Sequence, residues 1–257
     1  MIFDTHAHYD DEAYSADREE IISSLPASGI GAVVNVGANK ASTGSSLALA
    51  EKYDFIYAAA GIHPSDVMEY ENGTADTSWL EKCALAPKAV AIGEIGLDYH
   101  WDEPAREIQK KWFAAQLRVA KKLKKPVIIH SRDAAQDTYD ILAAEGGSDL
   151  KAVIHCFSYG PDMARRFLDL GYYIGIGGVL TFKNAKKQKE VLAEMPLESL
   201  LLETDCPYMA PTPYRGERNS SLYLPLVVRE MAVIRGITES EIEEITFKNA
   251  MDFYEIG

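Results

Sequence analysis

The sequence predicts an α/β protein built as one (β/α)8 TIM-type barrel, and three observations carry that prediction. Short β-branched runs alternate with longer amphipathic stretches, eight candidate strands can be counted, and no linker or low-complexity tract divides residues 1–257. Alternating β and α segments imply a parallel sheet with right-handed crossovers. Eight repeats in about 250 residues suit a closed barrel forming a single domain. The competing arrangement, an open doubly wound sheet, lacks the GxGxxG phosphate loop that would support it.

The candidate strands are Ile2–His6, Ala32–Val36, Phe55–Gly61, Ala89–Glu94, Val127–His130, Ala152–His155, Tyr172–Ile176 and Leu200–Asp205. Between them the helices carry start and stop signals. Pro104 suits the first turn of a helix reaching about Lys124, with Ile108, Trp112, Ala115, Val119 and Leu123 along one stripe. Asp133 is the expected N-cap of the next helix and Gly146 its stop. Pro161 and Gly171 bracket another. Thr238 and Glu241 read as a capping box opening a final helix whose apolar face is Ile242, Ile245, Ala250 and Phe253. The least regular segment, His63–Lys88, is expected to hold an extra loop and a short helix.

Composition narrows the function classes. At 47% hydrophobic and 25% charged, the chain is globular, not disordered or fibrous. No stretch reaches the roughly 18 apolar residues of a membrane helix, and the opening MIFDTHAHYD lacks the basic-then-apolar pattern of a secretory signal. Cys83, Cys156 and Cys206 are odd in number and lack CxxC spacing, so a reducing, cytoplasmic setting is expected. A net charge of −13 argues against a long electropositive nucleic-acid surface, so an anionic partner must be held by a local positive centre.

The polar residues supply one. His6, His8, His63, His130 and His155 lie at or just after candidate strand ends, with His100 further into the loop after strand four. Glu94 ends strand four, and Glu203 and Asp205 end strand eight. In a barrel these ends converge on the face that carries chemistry. His6 and His8 are spaced i, i+2, so both point to one side of an extended chain. Imidazoles in an apolar barrel mouth need partners, and a divalent cation supplies them. The ligand set is mixed nitrogen and oxygen, suiting zinc, manganese or magnesium. It is too rich for one catalytic ion with an open position, whereas two ions sharing a carboxylate would use it all. No thiolate is needed: alternation turns Cys156 and Cys206 away from a lumen that His155 and Asp205 face.

These motifs resemble those of the TatD family of metal-dependent deoxyribonucleases, within the amidohydrolase-like barrels. The resemblance rests on FDTHAHYD (Phe3–Asp10), GIHP (Gly61–Pro64), IGEIGLDY (Ile92–Tyr99), IIHSRDA (Ile128–Ala134), IHCFS (Ile154–Ser158) and, within Leu201–Asn219, LETDCPYMAP followed by YRGERN. They span nearly the whole chain in order. The resemblance implies a (β/α)8 barrel that hydrolyses DNA phosphodiesters, with His6, His8 and Asp205 on one metal, His130 and His155 on the other, and Glu94 bridging. It also implies one to three ions, a place for His63 near a substrate phosphate, and a role for Glu203 in positioning water or binding a further metal. Two departures fall in loops: Ser220–Ser221 stand where an acidic residue and proline are usual, and Tyr159 stands where glycine is expected sooner.

The expected reaction is attack of metal-bound hydroxide on phosphorus, with Asp205 as ligand and proton acceptor and Glu203, on the same strand face, as the second candidate base. Arg132, Lys183, Arg215 and Arg218 fall on βα loops and are the candidate phosphate contacts, whereas Lys121, Lys122, Lys124 and Lys125 precede strand five and belong to the opposite face. Tyr99, Trp101, Tyr208 and Tyr214 are candidates for stacking bases. A narrow mouth favours DNA single strands or strand ends, with 3′–5′ exonuclease action implied by the resemblance. No membrane and no obligate protein partner are expected. The alternatives are another amidohydrolase-like hydrolase acting on an amide, lactone or small phosphoester, and a non-enzymatic barrel with structural metal. Glu94 stands where many of the former carry a carboxylated lysine, and structural zinc sites close at four ligands.

Overall fold

The computed structural model describes residues 1–257 except 102, 147 and 148. Eight strands, β1 (Ile2–Ala7), β2 (Ile30–Val36), β3 (Ile56–Ala60), β4 (Ala89–Asp98), β5 (Val127–Arg132), β6 (Ala152–Ile154), β7 (Tyr173–Ile176) and β8 (Leu200–Leu202), pair in chain order. Every pairing is parallel. The barrel closes through a parallel bridge between Ala7 and Cys206 and through Asp205 N–H donating to His6 O at 2.9 Å. The seam between the first and last strands thus runs through two residues of the candidate site.

The helices α1 (Arg18–Ser24), α2 (Lys40–Lys52), α3 (Ser78–Ala84), α4 (Arg106–Leu123), α5 (Ala135–Ile141), α6 (Pro161–Asp169), α7 (Lys186–Glu194), α8 (Leu224–Arg235) and α9 (Glu239–Tyr254) follow the strands. Thr238 and Glu241 make both bonds of the expected capping box. The irregular segment after β3 holds α3 and a turn at Val67–Tyr70.

Three expectations are corrected. Asp133 does not cap α5: it sits at φ 53°, Ala134 takes the cap position, and Asp133 Oδ2 lies 3.4 Å from His100 Nδ1. The buried face of α4 is centred on Trp112, Phe113, Gln116 and Ala120, one position off the expected stripe. The shift brings two glutamines inward, each bracketing a backbone. Gln116 accepts from Ile62 N (2.7 Å) and donates to Ile62 O (3.0 Å), while Gln109 does the same for Asp98 (2.8 and 2.9 Å). Finally, β6 and β8 stop short of His155 and Asp205, which open the loops instead, while β4 runs on past Glu94 with a register break between Ile92 and Ile95.

One apolar cluster, with Phe3, Val34, Ala59, Ile128, Val153 and Leu201 among its buried members and Tyr173 of β7 packed against it, fills the barrel interior. Phe253 and Tyr254 at the end of α9 join it. Ile128, Val153 and Leu201 precede His130, His155 and Glu203 by two residues, which places apolar packing directly beneath the polar mouth. A larger cluster packs helices against strands.

Candidate metal centre

Glu94 is the hub of the mouth. Its Oε1 lies 2.8 Å from both His130 Nδ1 and His155 Nε2, and 3.8 Å from His63 Nε2. Its Oε2 faces the other side, 3.5 Å from His6 Nε2 and 3.9 Å from His8 Nε2. Asp205 Oδ1 closes that side, 3.8 Å from His6 Nε2 and 3.5 Å from His8 Nε2. The structure therefore brings His6, His8 and Asp205 together, and His130 with His155, on opposite oxygens of one carboxylate. Glu203 Oε1 lies 3.8 Å from His155 Nδ1. His63 forms a further group with Glu94 and His130.

Supporting bonds set the rings. His8 Nδ1 lies 2.9 Å from Val36 O, which fixes the proton there and turns Nε2 toward His6 Nε2 at 3.0 Å. His130 Nε2 meets Asp98 Oδ2 at 3.1 Å, the carboxylate behind an imidazole that steadies metal-binding histidines. His63 Nδ1 accepts from Ser65 N–H at 3.2 Å, so its ring proton falls on the Nε2 that faces the mouth. Two glycines make room. At Gly175 an added methyl would land on the Glu203 carboxylate, and at Gly96, with φ 145°, it would land on His130 O.

The electrostatics of the cluster push its members in opposite directions. Burial, helped by His155, lowers His6 to about 4, and burial, helped by His130, lowers His63 to about 4. Burial also acts on His8 and His130, but Asp205 lifts His8 to about 9, and Asp98 and Glu94 lift His130 to about 9. Against the burial that would raise it, Glu94 is held well below the usual carboxylate range by His155 and His63, and Asp205 is lowered by His8. Glu203 goes the other way, raised by burial to about 7. The carboxylates thus favour positive charge at His8 and His130, the charge that divalent cations would supply at the same place. Among the described residues, buried His6 Nδ1 and His155 Nδ1 have no hydrogen-bond partner. Converging imidazole and carboxylate donors with incomplete hydrogen bonding fit cation ligation.

Ahead of the cluster lies a cavity of about 620 Å³, whose lining includes His63, Arg132, Glu203 and Asp205. Among the described residues, Arg132 is the sole arginine or lysine that lines it. Arg218 is corrected: its guanidinium pairs with Asp17 (2.7 and 2.6 Å) and donates to Ala13 O, tying the loop after β8 to the loop after β1. Arg215 lies over the Phe182 ring, and neither it nor Lys183 lines the cavity. Of the aromatic candidates only Tyr208 lines it; Tyr99 bonds Asp137, and Tyr214 stacks on Tyr223. Trp101 is exposed beside His100. Cys206 is buried as expected, but Cys156 lines the cavity, because β6 has already ended and φ 44° breaks the alternation.

Sequence reasoning missed the residues behind the cluster. Asp4, two residues before His6, accepts from Thr204 and Ser221; the same i, i+2 spacing that marks His8 would have found it. Ser221, one of the two loop departures, is thereby buried structure. Tyr159, the other, bonds Ser131 Oγ (2.9 Å) and Ala134 N (3.2 Å) and orders the loop after β5.

The comparisons agree with this geometry. The family profile described as TatD related DNase matches residues 3–255. The uncharacterized metal-dependent hydrolase YabD of Bacillus subtilis (strain 168) is 42% identical over 100% of both chains. The uncharacterized metal-dependent hydrolase YcfH of Escherichia coli (strain K12) is 32% identical over 100% of this chain and 96% of its own. The crystal structure of YjjV, a TatD homologue from Escherichia coli K12, superposes with a TM-score of 0.92 at 33% identity, covering 100% of this chain and 98% of the other. The chain belongs to the TatD family of metal-dependent hydrolases.

Proposed function

We propose that the protein is a deoxyribonuclease that hydrolyses phosphodiesters in DNA single strands or at strand ends. The observation that carries this reading is the hub itself: one buried carboxylate flanked on each oxygen by imidazoles, at the base of a cavity whose volume suits one small ligand and not a duplex. The description of the matching family as DNase-related supports the choice of substrate. Divalent magnesium, manganese or zinc, held by His6, His8, Asp205, His130, His155 and Glu94, would polarise the phosphoryl group, activate water and stabilise the leaving oxygen.

The chain's own groups do the rest. His63 presents an Nε2–H to the mouth and donates to a phosphate oxygen. Arg132, at the end of β5, offers charge to the same phosphate. Glu203 accepts the Cys156 N–H at Oε1, and a carboxyl near 7 takes a proton from water at neutral pH. Asp205, held ionised, is the second acceptor.

The test is cleavage of an end-labelled single-stranded oligonucleotide by chelator-treated protein, with magnesium, manganese and zinc added back separately. Shortening from the 3′ end that returns with a cation is expected. A lactone, an amide or a small phosphoester turned over faster than the oligonucleotide would replace this reading with that of a small-molecule hydrolase.

A further inference from the structure

The two glutamines that α4 turns inward are buried, each 1% exposed, and each side-chain amide closes on both polar atoms of one residue's backbone. A primary amide suits that task, because it carries a donor and an acceptor side by side. Gln116 takes Ile62, which lies beyond the end of β3 and directly before His63. Gln109 takes Asp98, the last residue of β4, whose Oδ2 lies 3.1 Å from His130 Nε2. Spaced i, i+7, the glutamines share one face of α4, about 10 Å apart along its axis. Trp112 and Phe113, between them, are fully buried and anchor the helix.

Buried backbone needs partners wherever it runs. These two stretches are the ones beside His63 and behind His130, so one anchored helix grips the chain next to two different site residues. Resting on the reading of His63 as phosphate donor and His130 as cation ligand, we propose that Gln116 and Gln109 are positioning residues with divided tasks. Gln116 sets where the His63 ring stands and so tunes phosphate affinity. Gln109 sets where the Asp98 carboxylate stands and so, through His130, tunes cation affinity. Neither amide touches substrate or cation. Without its amide a strand end is free to shift, and a misplacement of about an ångström at a group that meets a ligand is costly.

The test is calorimetric titration of chelator-treated protein with manganese, and of manganese-saturated protein with inorganic phosphate, for wild type, Gln116→Met, Gln109→Met and His63→Gln. Methionine keeps the length and removes the amide. Gln109→Met is expected to weaken manganese binding about 10- to 100-fold and to leave phosphate binding by the saturated protein as in wild type. Gln116→Met is expected to do the opposite, weakening phosphate about tenfold with manganese unchanged. In a His63→Gln background Gln116→Met should cost phosphate binding nothing further. A merely structural role predicts no such split: losses shared by both affinities in both variants, or a loss of thermal stability alone, overturn the proposal, as does an additive loss in the His63→Gln background. Where a methionine variant does not fold, Gln116→Glu or Gln109→Glu, which keeps the acceptor for the backbone N–H, should give the same split in weaker form. Neither titration uses DNA, so a wild type that cuts no oligonucleotide removes the nuclease and leaves the divided tasks standing. Phosphate binding indifferent to His63→Gln removes the His63 contact and the task of Gln116 with it.

Discussion

Asp4 lies fully buried behind the cluster, and its ionisation reports how the β1–β8 seam is held. Its Oδ1 accepts from Thr204 N (3.0 Å) and His6 N (3.3 Å), and its Oδ2 from Thr204 Oγ1 (2.7 Å) and Ser221 Oγ (2.6 Å). Burial outweighs these bonds and raises the carboxyl from 3.8 to about 6. A carboxyl held above its unfolded value favours the protonated native state. Its contribution to stability is therefore fully present below pH 3.8 and is lost as the pH rises through 6. At about 1.4 kcal/mol for each tenfold, the ionised form costs about 3 kcal/mol, of which about 2 kcal/mol develops between about pH 4.5 and 7.5. Asp4→Asn removes that cost. It keeps an acceptor for both N–H groups, and the hydroxyls have second partners, His6 O for Thr204 and Tyr9 OH for Ser221. Urea unfolding of metal-free wild type and variant across this range should show the variant gaining about 2 kcal/mol on wild type as the pH rises. A difference that stays flat, or that shrinks with rising pH, would refute the account of a charge buried at this seam.

Three further outcomes test other parts of the structure. Glu94→Gln weakens the acceptor that both imidazole groups share, and is expected to lower hydrolysis at least about 100-fold and reduce bound metal in elemental analysis; full metal content with full turnover would dismiss Glu94 as the hub. Gly175→Ala drives the Glu203 carboxylate from its position, so kcat should drop about 10- to 100-fold while circular dichroism is unchanged. An unaltered kcat would remove Glu203 from the chemistry. Thr238→Ala breaks the capping box of α9 and should cost about 1 kcal/mol in thermal unfolding with no effect on turnover.

The barrel was legible because its strands read as short β-branched runs between capped amphipathic segments, a pattern that local chemistry sets. The hub was legible for a related reason: in a parallel barrel, a histidine or carboxylate at a strand end has one face to reach, so position along the chain stands in for position in space. That substitution fails where strands end early. Cys156 was placed outside by alternation that β6, stopping at Ile154, no longer imposes. It fails again where a side chain serves a distant backbone. Gln116 brackets Ile62 across 54 residues, and nothing local to either marks the pairing. Arg218 shows the converse: a loop arginine on the correct face is taken by Asp17, a partner 201 residues away.

The distribution of charge bears on how a protein of net charge −13 would meet the anionic substrate proposed for it. The positive residues that crowd the segment before β5 are occupied on the far side of the barrel: Lys121 donates to Glu145 O, Lys122 pairs with Glu81, and Lys125 donates to Ala89 O. At the mouth, Asp10, Asp11, Glu94, Glu203 and Asp205 line the cavity against Arg132. Those acids favour positive charge at His8, beside Asp205, and at His130, beside Asp98 and Glu94. Dications held by the same side chains would reverse the local field without changing the surface around it. Affinity for a phosphodiester would then reside in the few ångströms around Glu94, with few phosphates neutralised along any strand. On the nuclease reading proposed above, such a site would grip one scissile group and ignore the rest of the polymer, as an enzyme working from an end would.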